Sequence, residues 1–470
     1  MSVLPPPSRG FDLTVPLAVI GAGACGSVAA LAAREAGAEV LVLERDALPA
    51  GSTALSSGMI PASGTHWQRA AGVEDGVDIL VADIQAKTGH QAEAVIVEAV
   101  CRESAPAVEW LAERHAVPIE LVGGFLYPGH SRLRMHAPPS RTGAELMGGL
   151  SRALAAAGVD VITEAQVSDL FAAPDGRIRG LRFRRPDGSH EDLGCQALVL
   201  ACCGFAGSPE LVSRHIPEMR RAKIFGHEGN QGDAVKWGEA LGAELRHMGA
   251  YQGHGSIAEP HAILISWALM MQGGIQVNAQ GRRFSNEHEG YSEQAVRVLA
   301  QDGGLAWNIY DQRLHELGLD FDDYRGAQAA GALRQGATAA ALAQSCGLPA
   351  AALEETLGQA ADLAAGEGSD SFGRDFTAAP ALAPPYFAVK VTGALLHTQG
   401  GLRVDAEARV LRPDASPLPN LFAGGGAACG VSGSAVWGYL SGNGLLSAVA
   451  LGRIAGRGAA ALIGHESTAG

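Results

Sequence analysis

The sequence predicts an α/β fold, a Rossmann-like dinucleotide-binding domain carrying an inserted α+β capping domain. Three observations carry that prediction. Residues Val19 to Asp46 read VIGAGACGSVAALAAREAGAEVLVLERD: strand, glycine turn, helix, strand, acid. A second buried-strand pattern, Ala197 to Ala201, returns later, as a doubly wound sheet requires. The texture then changes near Gly253 and reverts at Gly400-Gly401. Residues 1–249 and 393–470 are therefore assigned to the dinucleotide domain and 250–392 to the insert.

In the first unit, the apolar run Leu17 to Ile20 leads into Gly21-Ala22-Gly23-Ala24-Cys25-Gly26. Gly21 allows the tight turn, Gly23 lets backbone approach a pyrophosphate, and Gly26 lets the helix pack close to the sheet. The helix start offers free N–H groups and a partial positive charge to phosphates. The second apolar run, Val40 to Leu43, ends on Glu44, at the spacing expected of an acid that holds a ribose 2′-hydroxyl. Such an acid would repel a 2′-phosphate.

The following elements are read in order. Pro49 to Gly58 is a small, hydroxyl-rich loop suited to close cofactor approach. Residues 90–116 are helical. Leu121 to Ser140 (LVGGFLYPGHSRLRMHAPPS) is an irregular loop near a site, and Ala144 to Ala157 a helix closed by Gly158. Strands follow at Val159 to Ile162, Ala165 to Phe171 and Ile178 to Arg184, with a turn at Pro186-Asp187-Gly188. Cys202-Cys203 continues the Ala197 to Ala201 pattern and reads as inert core. Gly229 to Asp233 opens a helix, Ala234 to Leu241. Ile275 to Gly281 is a strand and turn, and residues 326–366 are alanine-rich and helical. A hairpin at Ala408 to Leu411 and a last helix from about Gly442 to Ala455 complete the chain.

Composition bounds the function. A formal net charge of −14 argues against nucleic acid or an acidic membrane surface as partner. Seven cysteines without CxxC or CxxCH suggest neither haem nor iron–sulfur attachment and fit a reducing cytoplasm. The N-terminus lacks a signal-peptide pattern, and no run of about 18 apolar residues predicts a membrane span. No metal-ligand spacing is present.

VIGAGACG with LERD, GSTALSSGM, GNQGD, GGIQVNAQGRRFSNE, HTQGGLRVDAEARVL and NLFAGGGA together resemble the FAD-binding flavoproteins that include soluble fumarate reductases, the succinate dehydrogenase flavoprotein and the 3-ketosteroid dehydrogenases. The resemblance covers nearly the whole chain and implies a GR2-type FAD-binding domain whose insert caps the flavin ring. It implies FAD contacts from Gly21, Gly23, Ala24, Gly26, Glu44 and Arg45, and from Ser52, Thr53, Ser57 and Gly58. It adds Val167, Asp233, Gly425, Gly444 and Leu445. No histidine precedes Gly58 where membrane-complex members attach flavin, so non-covalent FAD is expected.

Fumarate reductases hold a dicarboxylate with two histidines and two arginines. His254, in Tyr251-Gln252-Gly253-His254, and His397, in HTQGG, match the histidines. The arginine positions hold Tyr291, after RFSNE, and Tyr439, before LSGN. A phenol cannot replace a bidentate guanidinium clamp, which argues against fumarate or succinate. The two tyrosines instead match the ketosteroid dehydrogenases, with Gly290 replacing their usual proline. In those enzymes the first tyrosine is the base on the carbon beside a ketone and the second polarises the ketone oxygen. Tyr127 corresponds to a third, assisting tyrosine.

The first expectation is thus desaturation of the C–C bond beside a ketone, with hydride passing to flavin N5. His254 or His397 would supply the help a phenol base needs. The runner-up is reduction of an α,β-unsaturated acid or enone. Further alternatives are a flavin electron-transfer module, in which Tyr291 and Tyr439 only pack, and an NAD-dependent dehydrogenase. Arg132, Arg134 and Arg141 read as a solvated face or, for one of them, a carboxylate contact. Trp267, Trp307 and Trp437 read as core or pocket wall. The electron partner is unknown.

Overall fold

The structure, a computed structural model, describes residues 1–124 and 126–469, with side chains to His465. Phe125 of the predicted loop and Gly470 lie outside the described residues.

Strand β1 (Thr14–Ile20) is buried on both faces from Leu17 onward, as a covered parallel strand must be. Gly21 follows, then α1 (Ala24–Glu35) and β2 (Val40–Leu43), which pairs in parallel with β1. Next in the sheet is β3 (Asp160–Ile162), parallel to β2. An antiparallel meander, β4 (Gln166–Ala172), β5 (Ile178–Arg184) and β6 (His190–Leu200), extends the sheet on the other side. The C-terminal half of β6 runs parallel to β1 and to Pro417–Ala423. The carboxyl ends of β1, β2, β6 and Pro417–Ala423 therefore share one edge, where Gly21, Glu44, Ala201 and Gly424 meet. Ligands of open α/β sheets bind at that edge.

A second sheet is built on three antiparallel strands: β7 (Tyr251–Ala258), β8 (Leu305–Asp311) and β9 (Tyr386–Thr398). Helix α2 (Tyr291–Leu299) precedes β8 and packs on this sheet. Lys223–Ile224 also pairs with β9. The far end of β9 meets the segment that follows β6, where Thr398 Oγ1 accepts the Phe205 N–H at 3.1 Å.

Several local expectations change. Residues 326–366 are not continuously helical. Strand Leu333–Gly336 follows a turn at Gly331 (φ +76°), interrupts them and pairs with β9. Cys202 and Cys203 lie past the end of β6, half-buried rather than core, with Cys203 at φ +62°. Arg134 is buried, not solvated, and Trp437 is 56% exposed.

The last helix, α3 (Asn443–Ala469), outruns its predicted end. Gly452 and Gly456 lie so close to α1 that an added Cβ would stand 2.6 Å from Cys25 O and 2.1 Å from Ala29 O. Packing through these glycines outweighs their helix cost of about 1 kcal/mol each. Contrary to the sequence expectation, Asn443–His465 is long and apolar enough to span a membrane by length and composition. Its apolar stretch is 67% buried inside the fold, as befits a core helix.

Candidate active site

One cleft runs from the carboxyl edge of the first sheet to the face of the second. Its lining includes Gly21, Gly23, Ala24, Glu44, Arg45, Ser52, Thr53, Ser57, Val167, Asp233, Gly425, Gly444 and Leu445. It also includes Tyr127, His254, Tyr291, His397 and Tyr439. Two predicted glycines stay behind the wall. A Cβ on Gly26 would stand 1.8 Å from Gly21 O, so Gly26 serves helix–strand packing. Gly58, at φ +65°, lies against the backbone of Thr142, where a Cβ would come within 2.8 Å of its carbonyl oxygen.

At the first end, Gly21 has φ +99° and leaves no room for a side chain, since a Cβ would be 2.6 Å from Ala201 O. Glu44 is buried at the tip of β2. Its carboxylate accepts the Ala22 N–H at 2.8 Å and the Asp46 N–H at 3.0 Å. Thr53 Oγ1 accepts the Ala24 N–H at 3.1 Å, and Ser52 Oγ accepts from Asn230 at 2.8 Å. Arg45 pairs with Asp46 at 3.2 Å and meets His227 Nδ1 at 3.1 Å. Asp233 carries a buried Oδ1 without a hydrogen-bond partner, and desolvation raises its pKa. An unsatisfied buried acceptor needs a partner, and the glycine edge, the start of α1 and this oxygen fit FAD.

At the other end, Tyr291 opens α2 and stacks on His254 of β7, with ring centroids 4.8 Å apart. Tyr439 stands edge-on to Tyr291 at 6.1 Å and to His397 at 5.7 Å. Both phenols are buried and within hydrogen-bonding reach of each other. Burial, then the neighbouring Tyr439, raises the Tyr291 pKa well above its usual value, and a hydrogen bond with the Ser441 side chain opposes the rise. Burial likewise raises Tyr439, opposed by the backbone N–H groups of Gly444 and Gly442 and by Tyr291. Tyr127 is pushed up to about 12 by burial, and its phenol bonds Ser266.

Of the two kinds of help a phenol base can use, a proton acceptor or a positive charge, the histidines do not offer the charge. Burial lowers His254 to about 3 and His397 to about 4, so both rings are neutral. His254 Nδ1 accepts the Ser256 N–H at 3.2 Å, which leaves its Nε2 protonated, while His397 Nδ1 lies 3.2 Å from the Gln399 side-chain amide and 3.4 Å from Thr398 O. Gly444 lets the start of α3 approach His397, since a Cβ there would be 2.6 Å from Nε2.

Of the three arginines flagged in sequence, Arg141 lines this end of the cleft, Arg132 donates to Glu74 O, and Arg134 is sealed in an ion pair. Trp267 is buried beside His254, at 6.0 Å and edge-on. Ser266, Ser441 and His130 escaped the sequence reading. Ser441 sits inside the LSGN segment, and His130 in the loop marked as near a site.

The chain matches the FAD binding domain family over residues 17–445 and belongs to it. It is an FAD-dependent oxidoreductase acting on carbon–carbon bonds. A probable fumarate reductase of Shewanella frigidimarina, Ifc3, is 30% identical over 96% of this chain and 76% of its own length. The open conformation of a flavocytochrome c3 fumarate reductase superposes with a TM-score of 0.81 at 29% identity, covering 97% of this chain and 80% of the other. The 3-ketosteroid-Δ4-(5α)-dehydrogenase of Rhodococcus jostii RHA1, in complex with 4-androstene-3,17-dione, superposes at 0.76 with 25% identity, covering 97% and 100%.

Proposed function

We propose that the protein desaturates the C–C bond beside a ketone carbonyl. Tyr291 exchanges the proton beside the carbonyl, and Tyr439 hydrogen-bonds the carbonyl oxygen. The observation that carries this reading is the pair of buried phenols, 6.1 Å apart by ring centroid, at the end of the cleft remote from Glu44. Hydrogen bonding at the oxygen lowers the cost of the developing enolate. Trp267 and the neutral His254 wall the site and exclude water. Tyr127 supports the same end through Ser266. Bound FAD supplies the hydride acceptor in desaturation and the donor in reduction.

A dicarboxylate clamp needs two guanidinium groups. Among the described residues Arg45, at the ribose-binding end, and Arg141 are the arginines that line the cleft. One guanidinium near Tyr127 cannot bind both ends of fumarate, although the relatives include fumarate reductases.

Reduction of an enone or unsaturated acid is the second reading. The raised Tyr291 pKa favours it, because a phenol protonated at neutral pH is ready to give its proton. We further propose that FAD is held non-covalently, that residues 250–392 cap the reacting end, and that the seven unpaired cysteines indicate a reducing cytoplasm.

The test is an anaerobic screen. Oxidised enzyme is mixed with 4-androstene-3,17-dione and with simple cyclic ketones. Dithionite-reduced enzyme is mixed with cyclohexenone, urocanate and fumarate. Flavin bleaching by a ketone, or reoxidation by an enone, is expected. Reoxidation by fumarate alone would overturn the reading. Normal flavin electron transfer in the double variant Tyr291→Phe, Tyr439→Phe, with no carbon substrate found, would instead indicate an electron-transfer module.

A further inference from the structure

The loop that supplies Tyr127 also supplies a buried polar chain that the reaction above leaves unused. Arg134 is fully buried and bidentate to Asp75, both contacts at 2.9 Å. It also pairs with Asp83, whose carboxylate takes the Ser131 N–H and hydroxyl at 2.9 Å each. Two carboxylates therefore hold one guanidinium rigidly. Its Nη1 faces His130 Nδ1 at 3.5 Å. Burial, with Arg134 beside it, brings His130 down to about 4, so the ring is neutral. The guanidinium keeps a proton off Nδ1, and Nε2–H donates to Ser441 O at 2.9 Å.

Ser441 belongs to the turn from Tyr439 to Gly444. Its side chain bonds the Tyr291 phenol, while the N–H groups of Gly442 and Gly444 reach Tyr439. One turn thus contacts both phenols. On its other side Gly442, at φ +82°, leaves no space against Pro61, where a Cβ would stand 2.6 Å from Cδ. His130 holds the Ser441 carbonyl of this turn.

We propose that His130, braced by the Asp75–Arg134–Asp83 ion pairs, is a positioning residue that sets the Tyr439–Gly444 turn and thereby the geometry of both phenols. The proposal rests on the roles given above to Tyr291 and Tyr439. His130 touches no reacting atom, and its whole effect passes through Ser441.

Two polar substitutions separate this role from mere packing. The side-chain N–H of Gln in His130→Gln takes the place of Nε2–H and reaches Ser441 O. That of Asn in His130→Asn takes the place of Nδ1–H and falls short. In the ketone and enone assay above, both holoenzymes are expected to keep FAD. His130→Asn should lose about 10- to 100-fold in kcat, the cost of a displacement on the order of 1 Å, with KM nearly unchanged. His130→Gln should recover most of the rate. A second readout needs no turnover: alkaline titration followed by tyrosinate absorbance. The groups facing Tyr291, namely His254, Tyr439, Tyr127, Glu293 and Ser441, are all intact in both variants. The late-titrating phenols should nevertheless move in His130→Asn and stay in His130→Gln.

Wild-type kcat and titration in His130→Asn, or equal losses in the two variants, would overturn the proposal while leaving the function intact if Tyr291→Phe is inactive. If Tyr291→Phe turns over normally, the catalytic reading fails, and the titration decides on His130 independently.

Discussion

Removing one oxygen from Tyr291 is the sharpest perturbation of this site. Tyr291→Phe keeps the ring that stacks on His254 at 4.8 Å and deletes only the hydroxyl, whose partners are Ser441 and Tyr439. Each lost hydrogen bond is worth about 1 kcal/mol, so folding should weaken by about 2 kcal/mol at most. The opening residue of α2 otherwise keeps its apolar contacts, and FAD should remain bound. Loss of a positioned proton-transfer group costs about 10²- to 10⁴-fold in rate, or about 3–5 kcal/mol on the barrier. The assay is single-turnover flavin bleaching by ketone under anaerobic conditions, with FAD content and thermal midpoint measured on the same preparation. A bleaching rate within about threefold of wild type, where at least 10²-fold loss is expected, would remove Tyr291 from proton transfer.

Four further outcomes follow from the same geometry. Tyr439→Phe should cut the rate by roughly 10²-fold, as loss of one preorganised donor does, while leaving flavin content unchanged. Desaturation needs the Tyr291 phenolate, and burial raises that pKa above the ordinary value of about 10. Its rate should therefore climb with pH without a plateau in the neutral range, whereas reduction, which uses the phenol, should stay flat until alkaline pH; a neutral-pH plateau for desaturation would refute the assignment. Gly21→Ala should yield colourless protein, because φ +99° and a Cβ 2.6 Å from Ala201 O leave no place for a methyl group. Glu287→Gln should destabilise the chain by about 3–5 kcal/mol in denaturant titration, since it leaves Arg283 and Arg374, at 2.7 and 3.0 Å, without their shared buried carboxylate.

Legibility in the sequence followed the range of the interactions. The β1–α1–β2 unit could be read because its turn and helix start are set within a short segment, as where a Cβ on Gly26 would meet Gly21 O. Tyr291 and Tyr439 could be found by counting from RFSNE and LSGN. The strand Leu333–Gly336 was hidden, because its alanine-rich surroundings favour helix and only pairing with β9 overrides that preference. The true length of α3 was hidden too, since Gly452 and Gly456 look like breakers until α1 is seen against them.

At the end of the cleft lined by Tyr291 and Tyr439, the residue types were written in the chain and their states were not. Nothing local announces that His254 and His397 are neutral, because desolvation depends on what packs over the second sheet that carries them. Nor does spacing reveal that His130 reaches Ser441, a residue 311 positions away. Backbone turns and residue chemistry are properties of short segments, so a linear reading recovers them. Burial, protonation and the meeting of distant side chains arise only when two sheets close on one cleft, and the fold alone supplies them.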